Sequence, residues 1–218
     1  LQDSVSRQPT NAELNRMAGI LDEAMQEGYL GLSTDGLPLH FLANEPNLSK
    51  RIPTQYAEFD EYKKLTDVVR KHDRVWQMTP ATDDGALTAR LFMLSSGRFY
   101  DKPLKITALA AIDSVNNRSN LSRGLLFTNM LNSRALQGNF RLQCLSAPFR
   151  VYSEGAVSPL AEADPLLRRL IETELEDVAR RQEILVDPEF IEAFRAMWSR
   201  GKSGFNIGHL RRKLRLEK

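Results

Sequence analysis

Early in the chain, apolar residues recur on one face of a helix: Leu14, Met17, Ala18, Leu21, Ala24 and Met25. Thr10-Asn11-Ala12-Glu13 ahead of them reads as a capping box, in which hydroxyl and carboxylate each satisfy an orphan amide. Pro9 suits the entry, and Gly28 supplies the left-handed conformation that commonly ends a helix. The pattern then shortens. Tyr29 to Ser33 (YLGLS) is apolar and is followed by Thr34-Asp35-Gly36, as in a buried strand feeding a loop that runs to about Gln55.

The same alternation continues downstream. Tyr62, Leu65, Val68 and Val69 predict a second helix, and Arg74 to Thr79 a strand closed by Pro80. Leu87, Leu91 and Leu94 mark a third helix. Leu104 to Ile112 (LKITALAAI) is a nearly unbroken apolar and β-branched run, expected to be covered on both faces. A fourth helix is expected from about Asn120 to Leu136, ended by Gly138, and a fourth strand from Phe140 to Ser146. Strands alternating with helices in this way pair in parallel, because returning to the start of a neighbouring strand needs a long crossover.

This predicts an α/β fold of consecutive βα units: residues 1–155 as part of a (β/α)8 (TIM-type) barrel, and 156–218 as a helical extension. In the extension, Leu175, Val178, Ala179 and Leu185 mark one helix. Asp187 capping Pro188, with Phe190, Ile191, Phe194, Met197 and Trp198, marks another.

Composition narrows the function classes. The 218 residues are 42% hydrophobic with a net charge of +2, enough apolar content for a core and too little charge for a field that draws in nucleic acid or anionic lipid. The single cysteine, Cys144, excludes an internal disulfide and multi-cysteine zinc patterns and is most at home in the cytoplasm. No apolar run approaches the roughly 20 residues of a membrane span. The polar start without methionine is expected not to be the natural one.

Pro9 to Thr34, PTNAELNRMAGILDEAMQEGYLGLST, resembles the N-acyl-D-amino-acid deacylase (D-aminoacylase) branch of the amidohydrolase superfamily, where a similar helix ends in glycine and leads into a strand reading GLST or GFST. The resemblance is close over this stretch and architectural beyond it. It implies an amidohydrolase barrel, a divalent metal, zinc by preference, in the longer protein, and hydrolysis of an N-acyl amino acid by metal-bound water. It also implies that the family's HxH precedes this chain and its late aspartate follows it. Two further family histidines correspond by position to about Thr79 and Ala110, and neither residue is a zinc ligand. No metal is therefore expected in this chain, which is expected to be inactive alone. The alternative is a barrel relative that has lost its metal site and serves as a binding or assembly module. An open α/β sheet holding a phosphorylated ligand ranks below both, since no GxGxxG or P-loop follows a strand.

In barrels of this type, residues at the C-terminal ends of strands face the active-site mouth, which nominates Ser33, Thr34, Asp35, Gln77, Thr79, Asp113 and Ser146. Asp113 is the acid/base or ligand candidate, although Asp113-Ser114 followed by Asn116-Asn117 also fits a turn. His40, in the long loop after the first strand, is a candidate for the substrate pocket, or else a surface histidine. Tyr152 could line the pocket or simply end a strand. Arg51, with Lys50 and Arg141, could bind a carboxylate or stand as solvated surface. His72 is read as a helix-end cation, Cys144 as a packed, inert thiol, and the basic tail Leu210 to Lys218 as a solvated helix face. The partners implied are a small-molecule N-acyl amino acid and, through unpaired strand edges, further copies of the chain, with no nucleic acid and no membrane.

Overall fold

A computed structural model describes residues 5–37, 40–42, 47, 50–81, 84–111, 119–144, 165–171, 173 and 176–200. The chain divides into two compact units, Leu1–Pro148 and Phe149–Lys218.

In the first unit, α1 (Asn11–Gln26), β1 (Gly31–Asp35), α2 (Phe59–Lys71), β2 (Val75–Thr79), α3 (Gly85–Met93), the one-turn α4 (Gly97–Tyr100), β3 (Lys105–Ala111), α5 (Ser119–Leu131) and β4 (Asn139–Cys144) follow in order. The strands form one parallel sheet in the sequential order β1-β2-β3-β4. The capping box at Thr10 and Glu13 is formed, and Gly28 takes a φ of 103° beyond the end of α1. Arg7 and the Thr10 amide and hydroxyl hold the Glu13 carboxyl well below its ordinary range.

Register decides which side chains are buried. Leu32, Trp76, Ile106 and Phe140 stand in one cross-strand row, and Thr34, Met78, Ala108 and Leu142 in the next. Both rows belong to the face packed by the helices. There Tyr62 and Val69 of α2, Leu91 and Phe92 of α3 and Leu131 of α5 meet Trp76, Ile106 and Phe140 in one apolar core. Each large side chain fully buried here stabilises by about 1.5–3 kcal/mol, and the rings of Phe92 and Phe140 add a tilted contact at 4.7 Å.

The opposite face alternates to polar residues: Ser33, Gln77, Thr107 and Arg141 share a row, with Ser33 and Arg141 exposed. The expectation that the third strand is covered on both faces is therefore corrected. Lys105, Thr107 and Leu109 of β3 lie on this second face, and Leu109 is 41% exposed. The run looked unbroken because Ala108 and Leu109 are both apolar, yet Leu104, Ile106 and Ala108 reach the core while Leu109 does not.

The first strand also begins later than expected. Tyr29 and Leu30 stay exposed, and pairing starts at Gly31, where a Cβ would lie 1.9 Å from the Val75 carbonyl oxygen. Cys144 is exposed at the end of an edge strand, which corrects its reading as a packed thiol.

In the second unit, the described residues form α6 (Pro165–Ile171), α7 (Val178–Val186) and α8 (Pro188–Arg200). Asp187 accepts from the Glu189 amide at 3.0 Å, as the Asp-Pro start predicts, and Phe190 and Phe194 stack at 6.4 Å. No helix among the described residues is long and apolar enough to cross a membrane.

Candidate functional site

The C-terminal ends of β1 and β2 carry the candidate residues, and strand alternation sorts them onto two faces. Thr34, turned toward the helices, accepts a hydrogen bond from Trp76 Nε1 at 3.0 Å. Trp76 in turn lies against Tyr62, with ring centroids 5.7 Å apart. The Tyr62 hydroxyl donates to the Thr54 carbonyl oxygen. Burial, with the nearby charges of Glu61 and Asp35, pushes its pKa up to about 12, so it remains a donor at neutral pH.

A strap of residues 50–57 closes over these strand ends. Phe41 and Arg51 form an antiparallel bridge, and the Ile52 amide donates to the His40 carbonyl oxygen at 3.2 Å. Pro53, with its fixed φ, opens a 3-10 turn over Pro53–Gln55. The Thr54 hydroxyl donates to the Asp35 carbonyl oxygen at 2.6 Å, and Gln55 Nε2 to the His40 carbonyl oxygen at 3.1 Å. Under the strap lies a cavity of about 270 Å³ whose polar lining includes Thr34, Arg51, Thr54, Gln55, Tyr62 and Thr79, with Leu87 and Leu91 of α3 as its apolar wall. The side-chain oxygen of Gln55 is buried and has no partner among the described residues.

Asp35 and His40 stand together at the same rim. One Asp35 carboxylate oxygen accepts from the Leu37 amide at 2.9 Å, and the other is bonded to His40 Nδ1. Thr54 and Gln55 line the cavity and also hold the backbone oxygens of Asp35 and His40, so pair and cavity share a wall.

Of the residues nominated from sequence, Thr34, Thr79 and Arg51 line the cavity and Asp35 and His40 form the adjoining pair. Ser33 donates to Gln77 on the other face of the sheet, in the row that ends at Arg141. Asp113, Ser146, Tyr152 and the basic tail lie outside the described residues. His72 caps the end of α2, as read. Thr54, Gln55 and Tyr62 were missed: the first two sit in a loop with no periodic pattern, and Tyr62 carried only the signature of a core position.

No family model matches this chain, and no solved structure matches it. The chain is 32% identical over 203 residues to uncharacterized proteins of Mycobacterium bovis and of two strains of Mycobacterium tuberculosis, covering 92% of this chain and 33% of each relative. It spans about a third of the length of these curated relatives.

The deacylase resemblance implies a metal centre. Among the described residues no three His, Cys, Asp or Glu side chains converge. Asp35 and His40 offer two donors that bond each other, whereas catalytic zinc is held by three protein ligands. The described residues do not form that centre.

Proposed function

We propose that this chain is the central part of a longer (β/α)8 amidohydrolase that hydrolyses the C–N amide bond of an N-acyl amino acid, of D configuration by the resemblance at Pro9 to Thr34. The observation that carries this reading is the sheet itself. Four parallel strands run in sequential order with every core-forming helix on one face, and a cavity opens at the C-terminal ends of β1 and β2. Unidirectional right-handed crossovers place all helices on one side and curl a sheet toward closure, whereas a doubly wound sheet reverses its order and takes helices on both faces. A polar second face with Ser33, Gln77, Thr107 and Arg141 suits the inner wall of such a barrel near its mouth.

Thr34 and Thr79 of the cavity wall, with Arg51 at the strap, supply hydroxyls and a guanidinium suited to an acyl amide and its carboxylate. A divalent metal belongs, on this reading, to ligands outside the described residues. The test is turnover of an N-acyl-amino-acid panel by a protein of the relatives' length carrying this sequence. Hydrolysis that is lost on chelation is expected; no turnover across the panel and no bound metal by elemental analysis contradicts the proposal.

A second reading, a barrel relative that binds or assembles without catalysis, draws on the absence of histidine at Thr79 and Ala110. A full-length protein with metal bound would remove it.

A further inference from the structure

We infer that Asp35 and His40 form a proton-transfer dyad, in which Asp35 positions the imidazole and His40 Nε2 is the base. The inference rests on the hydrolase reading above for its substrate, an acyl compound held at the C-terminal rim, and on the geometry of the pair for its chemistry.

Asp35, at the end of β1, has both carboxylate oxygens engaged, by the Leu37 amide at 2.9 Å and by His40 Nδ1. An ionised carboxylate only accepts, so the shared hydrogen resides on Nδ1 and the basic lone pair on Nε2. That is the reverse of the tautomer that prevails in a free imidazole, and a carboxylate that fixes it also stabilises the imidazolium once formed. Nε2 has no partner among the described residues, and the His40 side chain is 41% exposed.

The backbone around the ring is fixed on both sides: the His40 carbonyl oxygen accepts from the Ile52 amide and from Gln55 Nε2, and the Asp35 carbonyl oxygen from Thr54. In the reaction, His40 Nε2 takes a proton from water as the water oxygen bonds to the acyl carbon. The imidazolium then returns that proton to the departing nitrogen as the C–N bond breaks, leaving acid and amine.

His72 is an internal control, since it meets Asp22 through Nε2 rather than Nδ1. The test uses the chain as it stands, with diethyl pyrocarbonate as the acylating probe and long-range proton–nitrogen NMR as the readout of tautomer, His40→Gln serving to assign the signals. The neutral His40 ring is expected to carry its hydrogen on Nδ1 and to be acylated at least threefold faster than His72. Asp35→Asn is expected to abolish the tautomer preference and to slow His40 acylation at least threefold, leaving His72 unchanged. A neutral His40 with its hydrogen on Nε2, or acylation indifferent to Asp35→Asn with the NMR spectrum otherwise native, overturns the dyad. Neither readout requires turnover, so the dyad and the hydrolase reading fail separately.

Discussion

The first unit holds two histidine–carboxylate pairs, one at each end of its sheet, and their surroundings differ. At the N-terminal ends of the strands, His72 at the end of α2 and Lys71 beside it both reach Asp22 of α1, at 2.7 and 2.8 Å. Close by, Lys105 of β3 bonds Asp73 at 2.7 Å, at a turn where Asp73 takes a φ of 56°. Each contact here ties separate elements together, and Asp22 accepts from Gln26 as well. At the C-terminal ends, Asp35 and His40 belong to one strand and its own loop, beside a cavity, and Nε2 of the ring has no partner among the described residues. In parallel α/β barrels the N-terminal rim serves stability and the C-terminal rim serves chemistry. On the proposed barrel reading, the contrast between the pairs follows that division.

Changes at the N-terminal rim should therefore appear as lost stability. The largest effect is expected at Gly31, the first residue of β1, where an added Cβ meets the Val75 carbonyl oxygen at 1.9 Å. Gly31→Ala should destabilise by about 1–3 kcal/mol, the usual cost of overpacking, measured by urea unfolding. Wild-type stability in that variant would show that β1 is not pressed against β2. Away from that rim, at the start of α1, Thr10→Ala removes the hydroxyl that accepts from the Glu13 amide at 3.3 Å and should cost about 1 kcal/mol in the same measurement.

The smallest effect concerns pH. Lys71 foremost, then His72 and Gln26, lower the Asp22 pKa from 3.8 to about 2. A carboxyl whose folded pKa is depressed adds stability above its unfolded value and loses it as pH falls through the folded one. Stability should drop between about pH 4 and 2, less steeply in Asp22→Asn, as thermal unfolding across that range would reveal. Identical slopes would mean that the α1–α2 clamp is not ionic.

Much of this fold was legible in the sequence, because local signals and tertiary packing agree there. The capping box, Gly28 and the alternation of period place α1 and the strands close to where they form. Boundaries slipped where composition and burial diverge: Tyr29 and Leu30 are apolar but exposed, and Leu109 continues an apolar run on the uncovered face. The candidate site was legible only in part. Strand ends nominated Thr34, Asp35 and Thr79, but the strap is irregular backbone, so nothing in its spacing announced that Thr54 and Gln55 hold the oxygens of Asp35 and His40. The pairing of Asp35 with His40 depends on a loop conformation that no periodicity encodes.

On the proposed hydrolase reading, the division between the two rims is tested most directly by kcat/KM for N-acyl-amino-acid hydrolysis in His40→Ala and His72→Ala, made side by side in a protein of the relatives' length. Loss of a general base costs roughly 10²–10⁴-fold, so His40→Ala should fall by that factor with its melting temperature nearly unchanged, while His72→Ala keeps activity within about threefold and unfolds earlier. Equal losses in the two variants, or full activity in His40→Ala, would contradict the account.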